Sequence, residues 1–112
     1  MLAFERLDVY RCSIDFLAVA SQIVDDLPKG NGSLGDQLRR AAMSIPLNIA
    51  EASAKTTGGD RRRFSAIARG SAMECGAILD VCRVLKVAEA EKLEHGKSLL
   101  ERIVAMLTKM CR

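Results

Sequence analysis

The chain has 112 residues, 49% hydrophobic and 28% charged, with 17 basic against 14 acidic side chains and a formal net charge of +3. That length suffices for one domain but not for a β/α barrel of roughly 250 residues, and the composition is that of a core-forming globule, not a disordered chain. A single histidine, His95, excludes sites built on two imidazoles, and the four cysteines (Cys12, Cys75, Cys82, Cys111) lack tight metal spacing.

At the N-terminus, Glu5, Arg6 and Asp8 interrupt the apolar run that a signal peptide requires. The longest uncharged stretch, Ala41–Ala50, is far shorter than the roughly 20 residues of a membrane span, so a cytoplasmic protein with no membrane partner is expected. The first helix is predicted over about 6–27, with Leu7, Tyr10, Ile14, Leu17, Val24 and Leu27 as its apolar positions. Pro28–Gly35 breaks the pattern. A second helix over about 34–55 follows, carrying Leu34, Leu38, Ala41, Ile45, Ile49 and Ala52. Ser33 with Asp36 resembles a capping box at its start, and Pro46 inside it removes one backbone hydrogen bond and should bend it near Ala42–Ser44.

Thr56–Asp60 is the next break, with Asp60 placed to cap a third helix over about 60–86. Its positions Phe64, Ala68, Ser71, Cys75, Ile78, Cys82 and Leu85 form a near heptad, in which Cys75 and Cys82 read as small core hydrophobes. The phase slips near Lys86–Ala88 without any Gly or Pro. A fourth helix over about 89–111 then carries Leu93, Gly96, Leu100, Ile103, Leu107 and Met110. Four helices of similar length with short connections predict an all-α, up-down-up-down antiparallel four-helix bundle forming one domain, 1–112.

No catalytic, metal or cofactor site emerges. Gly30-x-Gly32-x-x-Gly35 matches a dinucleotide fingerprint, but a helix precedes it where a strand is required. Gly96-Lys97-Ser98 lies inside a helical heptad, and His95 sits among Glu91 and Glu94 as a solvated surface residue. Glu51 and Glu74 could be read as paired carboxylates, but each is expected beside an arginine, which speaks against an acid/base pair. Antiparallel packing of the second and third helices instead places Arg40 near Glu74, and Ser44 and Asn48 opposite Ala68–Ala72, with Asn48 bonding to Ser71 or to backbone. Arg40, Ser44, Asn48, Ser71 and Glu74 predict an inter-helix polar seam that fixes register. If the Arg40–Glu74 pair is buried, Arg40→Ala should cost about 3–5 kcal/mol.

The charge is unevenly placed. Between residues 55 and 69 there are five basic residues (Lys55, Arg61, Arg62, Arg63, Arg69) against one acidic residue, while residues 1–54 carry five against seven. Three arginines in the first turn of a helix oppose its macrodipole unless an anion is present, and a helix N-terminus with added arginine suits phosphate. Bundle topology brings Arg6, Lys109 and Arg112 to the same end. With no Trp, one Tyr and three Phe, sequence-specific single-strand recognition is not expected, and binding should be backbone-directed and salt-dependent. On the fourth helix, Leu99 and Met106 widen the apolar arc, which predicts a subunit interface there, with Leu2 and Phe4 adding apolar surface.

The run Gln37-Leu-Arg-Arg-Ala-Ala-Met-Ser-Ile-Pro-Leu-Asn-Ile-Ala-Glu51 closely resembles the signature of the bacterial four helix bundle protein family. That family includes proteins encoded in 23S rRNA intervening sequences and the accessory variability protein of diversity-generating retroelements. Phe64-Ser-Ala-Ile-Ala-Arg-Gly-Ser-Ala-Met-Glu74 and the opening Phe4…Leu7-Asp-Val-Tyr10 are similar to further family segments, so the resemblance spans essentially the whole chain. Ala52 departs from the glycine usual after Ala-Glu. The resemblance implies a homo-oligomer, typically a five-fold ring, with nucleic-acid binding in some members, no enzymatic activity, and a partner protein such as a reverse transcriptase. Together these readings predict a non-enzymatic oligomeric bundle that binds RNA or DNA backbone through its basic end. A protein–protein adaptor or scaffold is the alternative.

Overall fold

Four amphipathic stretches that each bury one stripe can satisfy one another by closing a square, and the computed structural model, which describes residues 1–112, has that arrangement. A short 3-10 helix (Ala3–Arg6) leads into α1 (Asp8–Asp25), α2 (Gly32–Ala54), α3 (Gly58–Leu85) and α4 (Ala90–Met110). The helix ends differ from the expected ones by one or two residues. Each helix packs against its sequence neighbours around the square, α4 closes on α1, and the backbones of diagonal helices stay apart. The molecule measures 45 × 24 × 21 Å. No helix is long and apolar enough to cross a membrane.

The boundaries follow from local chemistry that differs in detail from the sequence expectation. Ser33 and Asp36 form no capping box, because the chain turns helical earlier, at Gly32. Asn31 occupies the cap and its side-chain amide donates to the Pro28 carbonyl at 2.8 Å. Asp60 does not cap α3 either. Thr57 does, its hydroxyl accepting the Asp60 amide at 3.2 Å, which leaves the Asp60 carboxylate in the first turn, where the helix dipole favours it. The break without Gly or Pro is made by Lys86, which adopts the left-handed conformation (φ 56°) and lets the Val87 amide bond back to the Cys82 carbonyl at 3.1 Å. The helix assignment of α2 runs unbroken through Pro46, whose ring is buried.

The core is one cluster of 22 buried residues with Phe16, Ile45, Ile49, Leu79, Ile103 and Leu107 at its centre. In α1 the buried face is Val9, Cys12, Ser13, Phe16, Val19, Ala20 and Ile23. The expected positions Leu7, Tyr10, Leu17 and Val24 pack at its edge, and Ile14 faces solvent. Two apolar stripes lie side by side on this helix, and spacing alone cannot choose between them. Phe16 decides the matter, because Cys12, Ser13 and Ala20 around it are small enough to let a ring into the interior. The buried Ser13 hydroxyl donates to the Tyr10 carbonyl at 2.6 Å, so it carries no desolvation penalty. In α3, Ala68, Cys75, Ile78 and Cys82 are buried as expected, joined by Ser65, Ala72 and Leu79, whereas Leu85 is exposed.

The fourth helix corrects the proposed interface. Leu99 is only 6% exposed and belongs to the core, where its carbonyl meets the Cys12 thiol, and Met106 is half-buried against the same core. A corner helix in a square has two neighbours, so α4 buries a wide arc against α1 and α3 within one subunit. Gly96 makes that closeness possible: a Cβ there would lie 3.0 Å from Leu79 Cδ1 and 3.4 Å from Phe16 Cε1. The surplus apolar surface stands elsewhere, on the outward faces of α2 and α3.

Candidate nucleic-acid interface

The start of α1, the end of α2, the start of α3 and the end of α4 converge at one end of the bundle. There a cavity of ≈ 230 Å³ is lined by Leu7, Ile49, Ala52, Arg61, Ser65 and Met110, drawn from all four segments. Arg6, Lys55, Arg61, Arg62, Arg63, Lys109 and Arg112 belong to the same end.

These cations are not equivalent. The Arg61 guanidinium donates to the Lys55 carbonyl at 2.9 Å (Nε) and to the Thr56 carbonyl at 3.4 Å, closing the turn between α2 and α3 over carbonyls that the end of α2 leaves free. Arg62 folds back over Gly58, where a Cβ would meet its Nη1 at 3.0 Å. Arg63 and Lys55 each place their charge 4.9 Å from the centroid of the half-buried Phe64 ring, and Lys55 also reaches Glu51 at 3.2 Å. Arg69 sits further along α3, where its Nε donates to the Thr108 hydroxyl at 2.8 Å and ties α3 to α4.

Ion pairing is sparse at this end, where only Lys55 has a carboxylate partner. Of the six salt bridges, five (Arg39–Asp25, Arg40–Glu74, Arg83–Asp80, Lys92–Asp26, Lys97–Asp80) lie away from this end. Arg6, Arg61, Arg62, Arg63, Arg69, Lys109 and Arg112 have no carboxylate within reach. The basic end is therefore a site of uncompensated charge. Elsewhere, Lys97 bonded to Asp80 at 2.7 Å holds that carboxyl below its ordinary range, and Asp26 bonded to Lys92 at 2.8 Å raises the ammonium above its own.

The seam residues are brought together. Arg40 Nη2 meets Glu74 Oε2 at 3.2 Å, and the Ser44 and Ser71 hydroxyls lie 2.8 Å apart. Of the two partners expected for Asn48, Ser71 or backbone, the structure has backbone: its amide donates to the Ser44 carbonyl (2.8 Å) and also to the Ser44 hydroxyl (3.0 Å). The Arg40–Glu74 pair is open to water, with side chains 69% and 44% exposed, so the large cost expected for a buried pair does not apply. Glu51 and Glu74 each serve a different cation, and no group of three His, Cys, Asp or Glu side chains is arranged to hold a metal.

Phe64 is the residue of this site whose place the heptad pattern does not reveal. Its spacing predicts a core position, yet it stands half-buried between the cations of Lys55 and Arg63. The signal was its position directly after Arg61-Arg62-Arg63.

Comparison with known proteins agrees with this architecture. A solved crystal structure, of a protein with unknown function from the S23 ribosomal protein family of Bacteroides thetaiotaomicron VPI-5482, superposes with a TM-score of 0.86. The match is at 21% identity over 93% of this chain and 98% of the other, a likeness of fold. A search of curated proteins returns no match. Residues 5–109 match the family described as 23S rRNA-intervening sequence protein, and the chain belongs to that family.

Proposed function

We propose that this protein is a non-enzymatic, homo-oligomeric helical bundle that binds nucleic-acid backbone through the end formed by Lys55, Arg61, Arg62 and Arg63. The observation that carries the reading is the concentration of unpaired charge: of the seven cations at this end only Lys55 has a carboxylate partner, while Arg6, Arg61, Arg62, Arg63, Lys109 and Arg112 have none. Because α3 starts at Gly58, two residues before the expected start, Asp60 and not the arginines occupies its first turn; Arg61, Arg62 and Arg63 follow it as adjoining cations that repel one another, and a phosphate backbone relieves that repulsion. The family's description by an rRNA intervening sequence agrees with an RNA-related role. The four free cysteines, three of them buried, agree with a reducing, cytoplasmic setting.

Oligomerisation rests on a different surface. Met43 and Leu47 on α2 and Ile67, Met73, Val81 and Val84 on α3 are all exposed, with Leu47 at 60% and Val84 at 70%, on the outward faces of the two helices. A second copy covering these faces would build a closed ring, five-membered as the family resemblance implies, and repeat the basic end around one rim. The same exposed faces favour the second reading, an adaptor whose partner is another protein such as a reverse transcriptase.

Direct binding separates the two. Generic RNA and DNA should bind at low salt, and Arg62→Ala/Arg63→Ala should lose most of that affinity while keeping the wild-type fold. No binding at low salt would leave the adaptor reading.

A further inference from the structure

Of the four aromatic side chains, only Phe16 is in the core. Phe4, Tyr10 and Phe64 all stand half-buried at the basic end, Phe4 and Tyr10 as an edge-to-face pair with centroids 4.9 Å apart. We infer that Phe64 is a base-stacking platform, so that the basic end takes unpaired, single-stranded nucleic acid in preference to duplex. The inference rests on the nucleic-acid reading above and adds the strand state of the ligand.

The ring has the surroundings that such a platform needs. Ser65 and Ala68, next to it and one turn on, are buried and anchor this stretch of α3, while the ring itself stays in contact with solvent. Lys55 Nζ and Arg63 Cζ, each 4.9 Å from its centroid, are drawn to its π-electrons in the absence of a ligand. Arg63 has no carboxylate to hold it, so an arriving phosphate can draw it off the ring while a base takes its place. Neither the cation nor the ring is then left without a partner. In a duplex, stacked neighbours cover the base faces, and only the cations can engage. Stacking is tolerant of sequence because every base has a π-face, so strand state is discriminated without any base being read.

The test uses three probes at one low salt concentration: an unstructured single-stranded RNA, the DNA of the same sequence, and the RNA duplex. Phe64→Leu should weaken both single strands about tenfold and the duplex less than about twofold, while Phe64→Tyr keeps the wild-type preference. A 2-aminopurine base in the single strand should report stacking on the wild type and not on Phe64→Leu. Circular dichroism checks that the variant is folded, and Phe64→Met, unbranched and similar in volume, replaces Leu if it is not. An equal loss on all three probes would show that Phe64 only positions cations, and no loss on any would show that it is idle. Either result overturns the inference while leaving nucleic-acid binding intact. Failure of the wild type to bind any probe would instead remove the nucleic-acid reading, and this inference with it.

Discussion

Neighbouring arginines in one helical turn do different work here, because main-chain carbonyls hold Arg61 and leave Arg62 and Arg63 without a hydrogen-bond partner. Arg61 spends its donors on the Lys55 and Thr56 carbonyls, so Arg61→Ala should lower unfolding stability by about 1 kcal/mol in urea titration. Arg62→Ala should leave stability unchanged and weaken only binding. Arg40→Ala should cost less than about 1 kcal/mol, because water and salt screen an exposed pair. The cysteines give a second residue-scale test. Burial pushes the Cys75 thiol up to about 12, with the Glu74 charge adding to it, so thiolate is scarce near neutral pH. A thiol reagent should therefore modify the half-exposed Cys111 first in the native protein, with Cys12, Cys75 and Cys82 reacting only on unfolding. Acid should weaken the Asp80–Lys97 link in a defined direction. The folded carboxyl is depressed, so its contribution is present above the ordinary carboxylate range and fades as pH falls through the folded value. These roles were only partly legible in the sequence. Facing positions on antiparallel helices put Arg40 with Glu74 and Ser44 with Ser71, but solvent exposure depends on how the square closes, which spacing does not contain.

Each helix was legible by its period and its breaks, and each misreading has a local cause. The face of α1 was misplaced because two apolar stripes adjoin and only the fit of Phe16 among small neighbours selects one. The caps of α2 and α3 were misassigned because several Ser, Thr, Asn and Asp residues compete within one turn, and backbone geometry selects Asn31 and Thr57. The end of α3 hides a strained residue. Lys86 holds φ 56°, which costs an L-residue roughly 1–2 kcal/mol and costs glycine little. Lys86→Gly should therefore stabilise the protein by about 1 kcal/mol, raising the melting temperature by about 4 °C for a chain of this size. An unchanged or lower melting temperature would mean that the lysine side chain contributes something the backbone argument omits.

At the scale of the molecule, the bundle is sided and polarised. Most of its exposed large hydrophobic side chains, Leu47, Met73 and Val84 among them, stand on α2 and α3, and its two ends differ in charge compensation. The sequence showed that apolar surface was in excess, but it placed the surplus on α4, because a helix at a bundle corner buries more of its circumference than a simple stripe predicts. A Leu47→Asp/Met73→Asp double variant should keep its helicity and shift the light-scattering mass from an oligomer to the monomer. A monomeric wild type at micromolar concentration would contradict the proposed assembly.

The basic end remains the centre of the functional account, and counterion release measures it most directly. Log affinity for single-stranded RNA plotted against log salt should fall steeply for the wild type, since each neutralised phosphate contributes about −0.7 to the slope. Arg62→Ala/Arg63→Ala should make that slope shallower by about 1.4, about 0.7 for each phosphate-neutralising side chain removed. An unchanged slope at unchanged affinity, or no binding at the lowest salt, would contradict the assignment of this end as the nucleic-acid interface.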